Sequence, residues 1–465
     1  MGSEDVGVAA RAAYRLGLLL RDAGDLEGAE VALRAASASN DGEVMPRAAY
    51  QLGKTLHRGG RLAEAAAALQ RAIDSQHRIC ADLAVEALAH VRLSEDRVDE
   101  AEALFLAASS SQQEELAAHA TLSLARLWLW TGSDLDRAEA GLRRVIDSGF
   151  PNMLTAAWAL LGQLLAALGR GAEAEPLLRA AARDGDPTAM LDLAILILAD
   201  SQPEAVEMVE HLGNRPQALS DRFLSASAGL PAAMAARTKS EFMAALETPM
   251  APPAVLEEAE LLLRAALAAG KQAAAVALAG VLESTDRADE AEQLLRHAVE
   301  AEVRNARTNL AQLLIKQEYR RSGSSLSDEA ETLLQQAWQG GDLNALNQLA
   351  AYYAMKGDDA QATAAFQNAA NAGSPFARVT LILLLAAQGR LGEAGSQLAA
   401  MLERDDEREF EVFTTVVANE GHGLPAALNR ARETRTRSDA THFIELLARG
   451  CPDDCPEHDT THGQF

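Results

Sequence analysis

Three stretches of this chain superpose on a glycine. Arg11–Ala36 reads RAAYRLGLLLRDAGDLEGAEVALRAA, Arg47–Ala72 reads RAAYQLGKTLHRGGRLAEAAAALQRA, and Ala156–Ala181 reads AAWALLGQLLAALGRGAEAEPLLRAA. Gly17, Gly53 and Gly162 are each followed seven residues on by a second glycine (Gly24, Gly60, Gly169). Twelve and nineteen residues on comes alanine: Ala29 and Ala36, Ala65 and Ala72, Ala174 and Ala181. Apolar residues between them recur at the spacing of one helical face. Each stretch therefore reads as two amphipathic helices, the second glycine ending the first helix. Asp25 is placed to cap the helix that follows. Small residues at fixed positions let the paired helices approach closely. One such hairpin cannot bury its own apolar stripe, so the copies must stack. The expected class is all-α. Abundant alanine with only 4% aromatic residues also argues against a sheet.

The register recurs at Ala89, Ala101 and Ala108. A further copy around Ala125 and Ala138 carries one extra residue and has Val145 at the last position. In the second half, Ala259, Ala291, Ala330, Ala362, Ala394 and Ala426 mark the second helix at intervals of 32, 39, 32, 32 and 32 residues. The long interval holds an expected loop, Arg320–Ser327. Met401 and Glu433 replace the expected later alanines, so the last units decay.

This pattern resembles the tetratricopeptide repeat family, whose helix hairpin has small residues at its eighth, twentieth and twenty-seventh positions. The turns AALAAGKQAA (Ala265–Ala274), AWQGGDLNAL (Ala337–Leu346) and AANAGSPFAR (Ala369–Arg378) resemble the related Sel-like repeats. The resemblance implies an α-solenoid, a right-handed superhelix of stacked antiparallel helix hairpins. It covers about residues 7–213 and 253–438. Residues 1–213 are expected to form a first array, and residues 253–450 a second array with a terminal capping helix. Between them, residues 214–252 lose the register and end in Pro249-Met250-Ala251-Pro252-Pro253, which reads as an irregular helical insert and hinge. Residues 451–465 read as a disordered tail.

The resemblance further implies a non-catalytic scaffold or adaptor holding a protein or peptide in a groove lined by the first helix of each hairpin. Carried over by position, the lining begins Arg11, Tyr14, Arg15, Leu18, Arg21 and Asp22, and continues Arg47, Tyr50, Gln51, Lys54, His57 and Arg58. His90, His119 and Arg126 extend it. This is a cationic, tyrosine-bearing stripe on a chain of net charge −25. Arginine forks pair with carboxylates and tyrosine gives rigid contact, so an acidic peptide or acidic protein patch is the expected ligand. The second array offers amides instead: Asn305, Thr308, Asn309 and Gln312, then Asn344, Asn347 and Gln348, suited to reading a peptide backbone. The paired lysine and asparagine of the chaperone-binding clamp are replaced by Tyr14 and Leu18. Trp128, Trp130, Trp158 and Trp338 read as packing residues. The alternative function is a regulatory sensor, in which a short peptide or small effector closes the two arrays about the hinge.

Acidity, with 67 acidic against 42 basic residues, argues against nucleic-acid and anionic-membrane partners. Three cysteines are too few for a disulfide framework, and Met1–Leu20 is interrupted by charge, so a cytoplasmic protein is expected. Only five of the basic residues are lysine, a bias typical of GC-rich bacterial genomes. No phosphate loop, nucleophile elbow or dinucleotide fingerprint occurs, and no cofactor is expected. Cys451, Cys455, His458 and His462 could supply four zinc ligands, but Pro452 and Pro456 oppose a helix there. They are read as part of a plain tail.

Overall fold

A computed structural model describes residues 3–201, 251–322, 328–372, 374–404, 413 and 431–449. The described residues are all-α, with no strand among them. They divide into two compact units, Met1–Leu168 with Pro176–Asp184, and Gly169–Glu175 with Gly185–Phe465.

The first unit holds α1 (Ser3–Asp22), α2 (Leu26–Ser37), α3 (Val44–Arg58), α4 (Leu62–Asp74), α5 (Cys80–Ser94), α6 (Val98–Ser109), α7 (Glu114–Thr131), α8 (Leu135–Ser148) and α9 (Pro151–Ala167). Each packs on the next, and α3 and α5 also touch α5 and α7 respectively. That is the contact order of stacked antiparallel hairpins. Helix α10 (Gly171–Arg183) is divided between the units.

The second unit runs from α11 (Pro187–Asp200) through α12 (Pro253–Ala268), α13 (Ala274–Ser284), α14 (Ala288–Glu300), α15 (Ala306–Ser322) and α16 (Asp328–Gln339). It continues with α17 (Leu343–Lys356), α18 (Asp359–Asn371), α19 (Pro375–Ala387), α20 (Leu391–Arg404) and α21 (Arg437–Arg449). Helix α15 reaches Ser322, so the first three residues of the expected loop are helical.

The alanine register is the seam of the fold. At the twentieth position Ala29, Ala65, Ala101, Ala138, Ala174, Ala259, Ala291, Ala330, Ala362 and Ala394 are all 0% exposed. Four residues further on, Leu33, Leu69, Phe105, Leu142, Leu178, Leu263, Leu295, Leu334, Phe366 and Leu398 are likewise buried. Sequence reading had not singled this position out. It is the plug that the eighth-position glycine accommodates: a Cβ on Gly53 would lie 2.5 Å from Leu69 Cγ, and on Gly17 2.6 Å from Leu33 Cγ. Gly24 and Gly60 end their helices at φ of +86° and +73°, a left-handed turn that side chains resist. Asp25 caps α2, its carboxylate accepting from the Gly28 N–H at 2.9 Å.

These contacts set the sign of a glycine substitution. Gly53→Ala is expected to destabilise by about 1–2 kcal/mol despite alanine's better helix propensity, because Leu69 is fully buried and cannot yield. Gly280→Ala, where a Cβ meets nothing within 4 Å, is expected to stabilise by about 0.5–1 kcal/mol. Paired denaturant melts of the two variants check this.

The insert and hinge expected at residues 214–252 fall almost wholly outside the described residues. Residues 214–250 lie outside the described residues, but the helices on either side of them, α11 and α12, pack directly on one another. Leu191, Ala194, Ile195 and Leu198 share one core with Leu256, Ala259 and Leu263. The tail cysteines and histidines also lie outside the described residues.

Candidate binding surface

In the first unit, the second helices α2 and α4 turn their polar face outward and tie it together. Arg34 and Arg61 each pair with both Glu30 and Glu64, at 2.5–2.9 Å. The same four-member ring recurs in the second unit with Arg264, Arg287, Glu260 and Glu290. Such exposed pairs add little stability. They do neutralise the outer arginines.

The first helices carry a different set. Arg15, Arg58 and Arg126 are exposed, Lys54 is half-buried, and among the described residues none of the four has an ion-pair partner. The Lys54 ammonium lies 5.4 Å from the centre of the Tyr50 ring. Burial, helped by the neighbouring Arg58 and Arg21, lowers its pKa. Tyr14 and Tyr50 are half-buried against the core, and burial raises both phenols. Arg11 and Arg47 are committed elsewhere, Arg11 to Asp41 at 3.6 Å and Arg47 to Glu43 at 2.9 Å. Arg21 is held by Asp22 and Gln51.

Around these cations lie three histidines. His57 Nε2 is 2.8 Å from Ser94 Oγ, and burial lowers its pKa. His90 stands edge-on to Phe105, with ring centroids 5.0 Å apart, and is also lowered by burial. His119 pairs with Glu86, which raises its pKa. Glu86 is 7% exposed and lies at a position already assigned to the lining, the equivalent of Tyr14 and Tyr50. Its acidic side chain breaks the cationic pattern of the stripe, although its position in the repeat places it in the lining.

Trp130 is the second omission. It is 57% exposed, one turn from Arg126 on the same face of α7, so it is not a packing residue. Trp128 does pack, being 4% exposed with its indole N–H donating to Glu102 at 2.8 Å. Trp158 and Trp338 are half-buried.

The amide stripe of the second unit is in part buried. Asn347 is buried and its amide donates to Ser374 Oγ at 3.0 Å, fixing the residue that caps α19. Gln348 and Thr308 are buried, the latter donating to Asp342. Asn309 donates to the Asn305 carbonyl at 2.9 Å, and Asn305 itself is a turn residue at φ +64°. Gln312 is half-buried and Asn344 exposed. Asn347 and Asn309 thus hold a cap and a turn.

Among the described residues no group of three histidine, cysteine, aspartate or glutamate side chains could hold a metal ion. No described helix is long and apolar enough to cross a membrane.

No curated protein matches the chain. Among solved structures, a tetratricopeptide repeat protein from Parabacteroides merdae is 14% identical, over 66% of this chain and 98% of its own, with a TM-score of 0.38. A Sel1 repeat protein from Oxalobacter formigenes is 18% identical over 74% and 87%, with a TM-score of 0.37. A protective antigen of uropathogenic Escherichia coli with an SLR fold is 16% identical over 100% of both chains, with a TM-score of 0.35. Residues 46–76, which span α3 and α4, match the model of the tetratricopeptide repeat. By that match, and by the register its neighbouring hairpins share, the chain is similar to the tetratricopeptide repeat family.

Proposed function

We propose that this chain is a non-catalytic protein-interaction scaffold, and that the first helices of its first unit take up an acidic peptide segment of a partner. The supporting observation is the contrast between two sets of basic residues. Arg34 and Arg61 on the second helices are saturated by glutamates, whereas Arg15, Lys54, Arg58 and Arg126 on the first helices have no ion-pair partner. Exposed cations on one stripe are an electrostatic seat for carboxylates. Trp130 and the tyrosines add rigid apolar contact of the kind that anchors peptides. Glu86 on the same surface, paired with His119, sets a position at which a ligand carboxylate is unwelcome.

The test is fluorescence anisotropy with a labelled peptide rich in glutamate and aspartate, alongside a glutamine-substituted copy. Wild type is expected to favour the acidic peptide, more weakly as salt rises. Reversing all four cations (Arg15→Glu, Lys54→Glu, Arg58→Glu, Arg126→Glu) is expected to weaken binding at least about tenfold, since rim charges act chiefly in concert. Equal affinity for both peptides, or tighter capture of an oligonucleotide of equal charge, would reject the proposal.

A further inference from the structure

Trp130 breaks the row to which it belongs. By repeat register it stands where the three preceding first helices hold Asp22, Arg58 and Ser94, all polar and exposed. It is 57% exposed, whereas Trp128, Trp158 and Trp338 are buried or half-buried. Its helix α7 is packed between α5 and α9, so this exposure is not that of a chain end. Helix α9 departs from the other first helices in the same direction. Its lining positions hold Ala156, Ala159, Leu160, Gln163, Ala166 and Ala167, none of them charged. Leu168, which closes α9, is 40% exposed. Alanine side chains stand low beside an indole, and together they make an apolar step against which a ligand side chain can pack.

Charge is distributed around this step. Arg126, one turn before Trp130, is exposed and has no ion-pair partner among the described residues. On α5, Glu86 is buried beside His119 and disfavours a ligand carboxylate. On α3, Lys54 and Arg58 again lack ion-pair partners. The lining is therefore cationic on α3, unfavourable to acids on α5, and cationic again beside the apolar step.

We infer that the acidic segment taken up by the first unit carries an aliphatic or aromatic side chain next to one of its carboxylates, the apolar group seated against Trp130 and the carboxylate on Arg126. This rests on the reading of the first unit as a seat for acidic peptides, and it adds the order of residues in the ligand. Helices α3, α5 and α7 touch in sequence. Packed helices lie about 8–10 Å apart, which puts α3 about 16–20 Å from α7. An extended chain advances about 3.3 Å per residue, so the acids over α3 stand about five or six residues from the apolar group. The residues between them cross Glu86 and are neutral.

Labelled peptides with a glutamate pair, a glycine-serine spacer and a terminal Glu-Leu test this against the full chain by fluorescence anisotropy. With the pair about six residues from leucine, exchange of that leucine for serine is expected to weaken binding at least about fivefold, as for a partly buried leucine. Shortening the separation to about three residues is expected to weaken it comparably. Trp130→Ala is expected to equalise the leucine and serine peptides while keeping the preference for glutamate over glutamine. Helical circular dichroism should not change, as the side chain is exposed. Trp130→Phe should retain most of the leucine preference. The leucine peptide should also shield from acrylamide a share of the tryptophan emission that Trp130→Phe lacks. Equal binding of leucine and serine peptides, with the glutamate preference intact, overturns this inference alone. A glutamine-substituted leucine peptide bound as tightly as the acidic one rejects the acidic seat and this inference with it. A wild-type dimer dispersed by Trp130→Ala in sedimentation would overturn it too, assigning the step to a second copy of the chain.

Discussion

Phe105→Ala is expected to cost about 3–5 kcal/mol, the range for truncating a buried phenylalanine. Phe105 is fully buried at the plug position, where eight of the other hairpins hold leucine. By repeat register its counterpart is Ala89, the eighth-position residue of its hairpin, where a glycine stands in the first two copies. The larger plug and the larger seat residue occur together. Removing the ring leaves a cavity that α5 and α6 can close only by sliding, and it also removes the edge on which His90 rests. In a stacked array each hairpin contacts only its neighbours, so the loss should remain local. Amide exchange is expected to quicken in α5 and α6 and, to a lesser extent, in α4 and α7, while α13 and α14 in the second unit keep wild-type protection. Affinity for the acidic peptide should fall as well, through displacement of His90. A loss below about 1 kcal/mol, or a uniform loss of protection across both units, would contradict this account.

The legible part of this fold was its spacing. Ten alanines at the twentieth position could be placed by counting, because close approach of two helices tolerates nothing larger and the constraint recurs. The plug four residues later is not distinguished in the sequence, since leucine also fills many other apolar positions and its burial shows only in three dimensions. Asp96 and Asp286 occupy left-handed turns, at φ of +59° and +60°, where other hairpins use glycine. Sequence alone offers no signal there beyond aspartate's modest tolerance for that conformation.

At the candidate surface, residue type was read well and commitment was not. Arg11 and Arg15 look identical in the chain, yet Asp41 from the following loop engages only Arg11. Asn347 and Gln348 are polar residues at positions that in the first hairpins range from exposed Arg15 to buried Glu86. Both are buried in the second unit, and polarity gives no warning because a bonded amide is stable when buried. The pairing of α11 with α12 is a long-range contact that local sequence does not encode.

Asp192→Asn is expected to make the second unit less sensitive to pH, and more stable than wild type above neutrality. Asp192 lies on α11 between Leu191 and Leu193, both buried, and burial pushes its pKa up to about 7. Two charged groups face it. Lys271, from the turn between α12 and α13, favours the carboxylate, and Asp186 at the start of α11 opposes it. Lys271 donates to Thr188 Oγ1 at 3.2 Å, one turn from Asp192. The carboxyl titrates near 3.9 in an unfolded chain. Between about pH 4 and pH 7 the folded state therefore binds more protons than the unfolded state, and stability falls as pH rises across that window. Three pKa units correspond to about 4 kcal/mol at most, and the partial exposure of the site reduces this to about 1–3 kcal/mol. Asparagine cannot ionise, so the difference between variant and wild type isolates this one group. Denaturant melts at intervals from pH 4.5 to pH 8.5 should show that difference growing in favour of the variant up to about pH 7 and then levelling. If Lys271 instead holds Asp192 as a carboxylate throughout, the variant loses stability at every pH in the range, and the burial argument fails.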